Sequence, residues 1–242
     1  MKTKNILMGT AALILSSTSA FAASMNVEAV NSNFVFADAA GQNAWYKATS
    51  FDVGMTSVNN VGAGVFRVKG TDDNGIVSNF LAFCLQPLET LTLPKSHMIA
   101  NPFTQTVSDN LNALAANAWS LVTDAKSAAA FQMAAWEITT ETEATFDVDD
   151  GYFAITGNGN GSNQAEGVAQ AWLDNVADGT WLQGQNPFRI LTANGTQDLL
   201  TNVVEQPVLP PPNTTPVPLP ASGLLLLAGL MGAGYAARRR KA

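Results

Sequence analysis

The chain has 242 residues, twelve Lys or Arg against nineteen Asp or Glu, and a formal charge of −7. Six of the basic residues (Lys2, Lys4, Arg238, Arg239, Arg240 and Lys241) lie at the two ends, where there is no acid, so the part between them carries −13. So acidic a surface excludes nucleic acid and anionic lipid as natural partners, and one histidine excludes a His-rich metal site.

Residues 1–22 read as a secretory signal peptide. Lys2 and Lys4 form the positive start, Ile6 to Leu15 the apolar region, and Ala20-Phe21-Ala22 the small-residue cleavage site. Residues 23–204 are then an extracytoplasmic domain, long enough for one sizeable core. Over residues 26–70, aromatic and β-branched residues come in short runs separated by Gly, Asn and Asp, which predicts strands and turns. Asn74-Gly75 predicts a hairpin turn, because Asn-Gly favours positive φ. The run Phe80 to Leu85 is apolar on both faces, as in a central strand, and Pro87 stops it. Cys84, the single cysteine, lies near its end. An unpaired cysteine is unusual in an exported protein, where oxidising surroundings favour pairs.

Helical spacing begins after Pro102. Val107, Leu111, Leu114, Ala118 and Leu121 predict a first helix capped by Thr106 or Ser108. Lys126 to Thr139 is a second, with Phe131, Ala134, Ala135 and Ile138 on one face. Gln164 to Val176 is a third, with Asn163 and Glu166 as a capping box and Asp178-Gly179 as its stop. Phe188 to Leu191 and Asp198 to Leu200 flank Asn194-Gly195, a second hairpin signal. The fold class expected is α+β: β-sandwich-like strands with a three-helix segment, then a Pro-rich linker and a single C-terminal transmembrane helix.

The linker is 205–220. Seven of its sixteen residues are proline, which favours an extended polyproline-type spacer. Residues 221–237 carry no charge. As a helix they would span about 26 Å at ~1.5 Å per residue, slightly short of the ~30 Å hydrocarbon core, so they anchor only marginally. Arg238, Arg239, Arg240 and Lys241 stop the segment on the cytoplasmic side.

Catalytic chemistry finds no support. His97 follows Pro94 in a polar stretch that reads as a surface loop, and no Gly-x-Ser-x-Gly or phosphate loop is present. Asp147-x-Asp149-Asp150-Gly151 suggests a calcium loop but fails the EF-hand pattern at Gly151 and Tyr152 and has no Glu at the twelfth position. It reads as a solvated loop, with a non-EF calcium site as the alternative. Glu141 and Glu143 read as exposed at a helix end. No metal or cofactor is expected, and the chain is not expected to be an enzyme.

Two resemblances sharpen this reading. Val217-Pro218-Leu219-Pro220-Ala221, the uncharged segment and the Arg-rich end together (217–241) resemble the VPLPA variant of the PEP-CTERM sorting signal. That resemblance implies a temporary anchor in the inner membrane of a Gram-negative bacterium. It also implies cleavage by an exosortase-like transpeptidase, a mature end near Pro220, and release to the cell surface or extracellular matrix. Gln132-Met133-Ala134-Ala135-Trp136, with Ala82-Phe83-Cys84 upstream, resembles the Gln-x-Ala-x-Trp signature of TQXA-type surface thioester domains. Phe131 stands where that pattern usually has Thr, and Ala135 where it has Ile. The resemblance implies a Cys84–Gln132 thioester, open to attack by surface amines. Phe83, Phe131 and Trp136 would form the shell that excludes water, with Trp136 one helical turn beyond Gln132. The alternative for the residues themselves is a structural Cys84 in a noncovalent module that binds exopolysaccharide through exposed Trp or Tyr.

Overall fold

Strands from both halves of the chain, six from the first and three from the second among the described residues, build two antiparallel sheets. The computed structural model describes residues 23–30, 36, 46–142, 145–157, 163–184 and 188–202, all within a compact unit spanning Met1–Val204. Its elements are β1 (Ser24–Ala29), β2 (Tyr46–Val53), β3 (Thr56–Gly64), β4 (Phe66–Asp72), β5 (Val77–Cys84), β6 (Lys95–Ile99), α1 (Gln105–Ala118), α2 (Ala125–Thr140), β7 (Phe153–Gly157), α3 (Asn163–Ala177), β8 (Arg189–Thr192) and β9 (Leu199–Thr201).

Six strands close into a barrel in the order β1-β4-β5-β9-β8-β6, and β3-β2-β7 form a separate sheet. The expectation of a sandwich is therefore corrected to a closed barrel plus a small sheet. The chain passes from one to the other at Val65, between β3 and β4, which is fully buried. Closure follows from β6, which pairs with β1 through Met25↔His97 and with β8 through Ile99↔Leu191. A closed sheet leaves no unpaired edge to template aggregation. The Asn74-Gly75 turn is as expected: Gly75 has φ +77°, and its N–H donates to the Asp72 carbonyl at 2.9 Å. At the second hairpin, Gly195 has φ +72°.

All three helices form, with shifted ends. The cap of α1 is Thr104, not Thr106 or Ser108; its Oγ1 accepts from the Val107 N–H at 3.4 Å. Asp124 caps α2 and accepts from the Ser127 N–H at 2.7 Å, while Ser127 Oγ accepts from the Asp124 N–H at 3.0 Å. Every residue of α2 from Ser127 to Ile138 is buried. Its many alanines let α1, α3 and the small sheet approach it on all sides. The Asn163 side of the expected capping box lies outside the described side chains.

Two apolar clusters meet back to back on β5. Phe80, Ala82 and Cys84 point into the barrel with Val27, Val68 and Leu199. Phe83 and Leu85 face the helices with Phe51, Phe131 and Leu173. Burial on both faces is what the apolar run predicted. The expected signal peptide at 1–22, the linker at 205–220 and the segment 221–237 lie outside the described residues. Among the described residues no helix is long and apolar enough to cross a membrane.

Candidate functional site

β4 begins opposite Ala82, so it no longer accompanies β5 at Cys84. The next residue, Leu85, donates its N–H to the Asp198 carbonyl, on the β9 side. Alternation along the strand therefore turns the N–H and C=O of Cys84 toward the side that β4 has left. Gln132 of α2 fills that place. Its Oε1 accepts from the Cys84 N–H at 3.0 Å, and its Nε2 donates to the Cys84 carbonyl at 2.6 Å. One carboxamide thus takes the role of a strand partner. Cys84 is 1% and Gln132 0% exposed, so neither main-chain group has water as a substitute.

The structure thus brings together the two residues singled out in the sequence, 48 positions apart, through the main chain of Cys84. The thiol itself belongs to the barrel-side cluster. Burial pushes its pKa well above the usual thiol value, which disfavours the thiolate. The carboxamide is nevertheless held in a way that matters for acyl transfer. A donor at 3.0 Å on its oxygen is where an oxyanion would be stabilised. The short bond from its nitrogen fixes the orientation of the group that would leave.

Phe83 and Phe131 flank this contact, with ring centroids 4.2 Å apart. Trp136 turns elsewhere. It packs on Phe51 at 5.1 Å and Phe153 at 6.4 Å, between α2 and the small sheet, and its Nε1 has no hydrogen-bond partner. Sequence reasoning missed Trp119, which meets Phe83 edge-on at 5.4 Å and Phe131 at 5.5 Å, with Phe188 beyond it at 5.1 Å. It also missed Thr139, whose hydroxyl donates to the Leu85 carbonyl at 2.8 Å. Thr139 lies seven residues after Gln132, hence on the same helix face, and that spacing was a usable signal.

Other candidates fall elsewhere. His97 is corrected from a surface loop to a fully buried position on β6, pointing into the barrel between exposed Ser96 and Met98. Burial lowers its pKa, opposed by backbone hydrogen bonds to Lys95 and Gln197 and by the nearby Asp198. Asp147 bonds within its own turn, accepting from the Asp149 N–H at 3.0 Å, and Asp149 and Asp150 are exposed. Among the described residues no three His, Cys, Asp or Glu side chains are placed to hold a metal ion. Glu141 is corrected from an exposed residue to a half-buried clasp, accepting from the Tyr152 N–H at 2.8 Å and the Phe153 N–H at 3.2 Å. Glu143 and residues 217–241 lie outside the described residues. Of the tryptophans among the described residues, Trp136 and Trp172 are buried and Trp119 and Trp181 are half-buried. Tyr46 and Tyr152 are exposed.

No protein-family model and no curated protein sequence matches the chain. Among solved structures it is similar to the N-terminal thioester domain of fibronectin-binding protein SfbI from Streptococcus pyogenes, at 12% identity and a TM-score of 0.38. The match spans 71% of this chain and 98% of that one. At that distance the likeness assigns neither fold nor function.

Proposed function

We propose that this chain is an exported surface or matrix protein of a Gram-negative bacterium, structural or adhesive rather than enzymatic, which attaches covalently through a Cys84–Gln132 thioester. The observation that carries the reading is the Gln132 carboxamide, hydrogen-bonded at both ends to the main chain of Cys84 in a buried site. Sγ forms a bond to the Gln132 Cδ, the Cδ–Nε2 bond breaks, and the thiol proton leaves with Nε2 as ammonia. The Cys84 N–H stabilises the oxyanion in between, and the step requires Sγ to turn from the barrel-side cluster to attack distance of the Gln132 carbonyl. An amine on a neighbouring surface then attacks Cδ, forming an amide and releasing the Cys84 thiol. Delivery follows from the tail: the segment 221–237 anchors the chain in the inner membrane, and an exosortase-like transpeptidase recognises Val217 to Ala221.

Intact mass tests the chemistry. The exported protein is expected to be lighter than its calculated mass by one ammonia, while Cys84→Ala matches its own. Methylamine is expected to restore a thiol that alkylates. A wild-type mass equal to the calculated one, with Cys84 alkylating on unfolding, overturns the thioester. The same spectrum tests the sorting: the released form should end near Pro220, and a released form retaining Arg238 to Lys241 would refute it.

A further inference from the structure

Beyond the end of α3, a turn folds back toward α1. There Trp181, Leu182 and Gln183 face Asp109 and Asn110 across a shallow cleft of about 420 Å³ floored by Ala113. We propose that this cleft binds one unit of a neutral polysaccharide noncovalently, with the Trp181 indole as the platform for the sugar ring.

An aromatic face attracts the slightly positive C–H bonds of a pyranose ring, and it excludes water from them as it would from any apolar surface. The indole is fixed in advance. Trp172 packs behind it at 6.2 Å, and the main chain of the turn is held where the Trp181 backbone N–H donates to the Asn175 carbonyl at 2.8 Å and Asn117 Nδ2 donates to the Leu182 carbonyl at 3.0 Å. A platform already ordered loses little entropy on binding. Leu182, apolar yet 73% exposed, extends it.

The rim is planar and polar. Asp109, Asn110 and Gln183 offer the carboxylate and amide groups that pair with neighbouring hydroxyls. The Asp109 carboxylate is oriented by Gln105 Nε2, which donates to Oδ1 at 2.7 Å. Among the described residues no Lys or Arg lines the cleft, and Asp109 repels a uronate or sulfated sugar, so the charge selects a neutral one. The volume lies toward the lower end of the roughly 300–1,000 Å³ of ligand clefts, which suits a single unit of a longer chain. A larger cleft of about 640 Å³ beside the β8–β9 turn, lined by Gln86, Glu89, Thr192 and Asn194, offers no aromatic wall.

Affinity electrophoresis of the exported protein tests the site, in native gels containing amylose, a soluble cellulose ether, galactan or, as the anionic contrast, alginate. Retardation is expected in at least one neutral gel and not in alginate. Trp181→Ala should bind about tenfold more weakly or worse, Trp181→Phe should retain most of the retardation, and Cys84→Ala should bind as wild type does. Gln183→Ala and Asn110→Ala, which leave the indole in place, should each weaken binding and guard against a misfolded Trp181 variant. Equal migration of wild type in all neutral gels, or equal retardation of wild type and all three alanine variants at the cleft, overturns the proposal. Because Cys84→Ala leaves this site intact, its failure is distinct from failure of the thioester.

Discussion

Measured against wild type that retains the Gln132 carboxamide, before any thioester forms, Gln132→Ala leaves the Cys84 N–H and C=O without partners where water does not reach, and removes a buried side chain as well. Each orphaned group costs about 1–3 kcal/mol, so a loss of about 2–5 kcal/mol is expected in urea denaturation. Cys84→Ala keeps both main-chain bonds and removes one buried sulfur, so about 1–2 kcal/mol is expected. A Gln132→Ala loss no larger than that of Cys84→Ala would mean that the carboxamide is not a strand partner. Glu137 makes a different prediction. It is fully buried on α2; Oε1 accepts from the Asp147 N–H at 2.9 Å and Oε2 has no partner. Burial, with smaller contributions from Glu141 and Asp147, raises its pKa from 4.5 to about 8 against that one hydrogen bond. Between those values the folded protein holds a proton that the unfolded chain has released, so Glu137 makes stability fall as pH rises through that window. Glu137→Gln should flatten that fall, read from melting temperatures across the range; an unchanged slope would refute it. At this scale the sequence pointed to the Cys84–Gln132 pair but not to the main-chain bonds joining it. Those depend on where β4 begins, which no local pattern records.

Elements were legible where their period was strong and lost where it was weak. β5 and the α2 face stood out because burial demands long apolar runs. β6 reads Lys-Ser-His-Met-Ile and exposes alternate residues, so it looked like a loop; its strand character comes from β1 and β8 on either side. β7 was lost behind Asp149-Asp150-Gly151, although Phe153 and Ile155 alternate correctly. The sandwich expectation failed for the same reason, since without β6 the barrel has no closing strand. Packing inside that barrel is tight at Gly70 on β4. A Cβ there would meet Phe80 Cε1 at 2.7 Å as well as the Met25 side chain. Gly70→Ala is therefore expected to cost about 1–3 kcal/mol by overpacking, and thermal melting within a degree of wild type would show that the interior yields.

The whole domain is two cores sharing one strand. Phe83 and Cys84, adjacent in sequence, belong to opposite clusters, so neither core can open without disturbing β5. One cooperative transition is expected. The described tryptophans, Trp119, Trp136, Trp172 and Trp181, all pack with the helical cluster, so their fluorescence follows that side, while far-UV circular dichroism follows helices and barrel together. Coincident urea curves from the two probes are the expected result; separated midpoints would mean that the barrel and the helical core unfold independently. The pairing of β9 with β5 also has a mechanical meaning. A pull on the chain beyond Thr201 would load β9 at its C-terminal end, while Gln132, on α2, grips β5 at Cys84 only through hydrogen bonds. Because the strands are antiparallel, with Thr201 beside Ala82 and Leu199 beside Cys84, the two ends are drawn apart lengthwise. The rungs Ala82–Thr201, Phe83–Leu200 and Cys84–Leu199 then bear tension in parallel instead of parting in turn like a zip. Pulling on the chain beyond Thr201 is thus resisted by shear along β5, whereas a load applied at Gln132 would enter through α2.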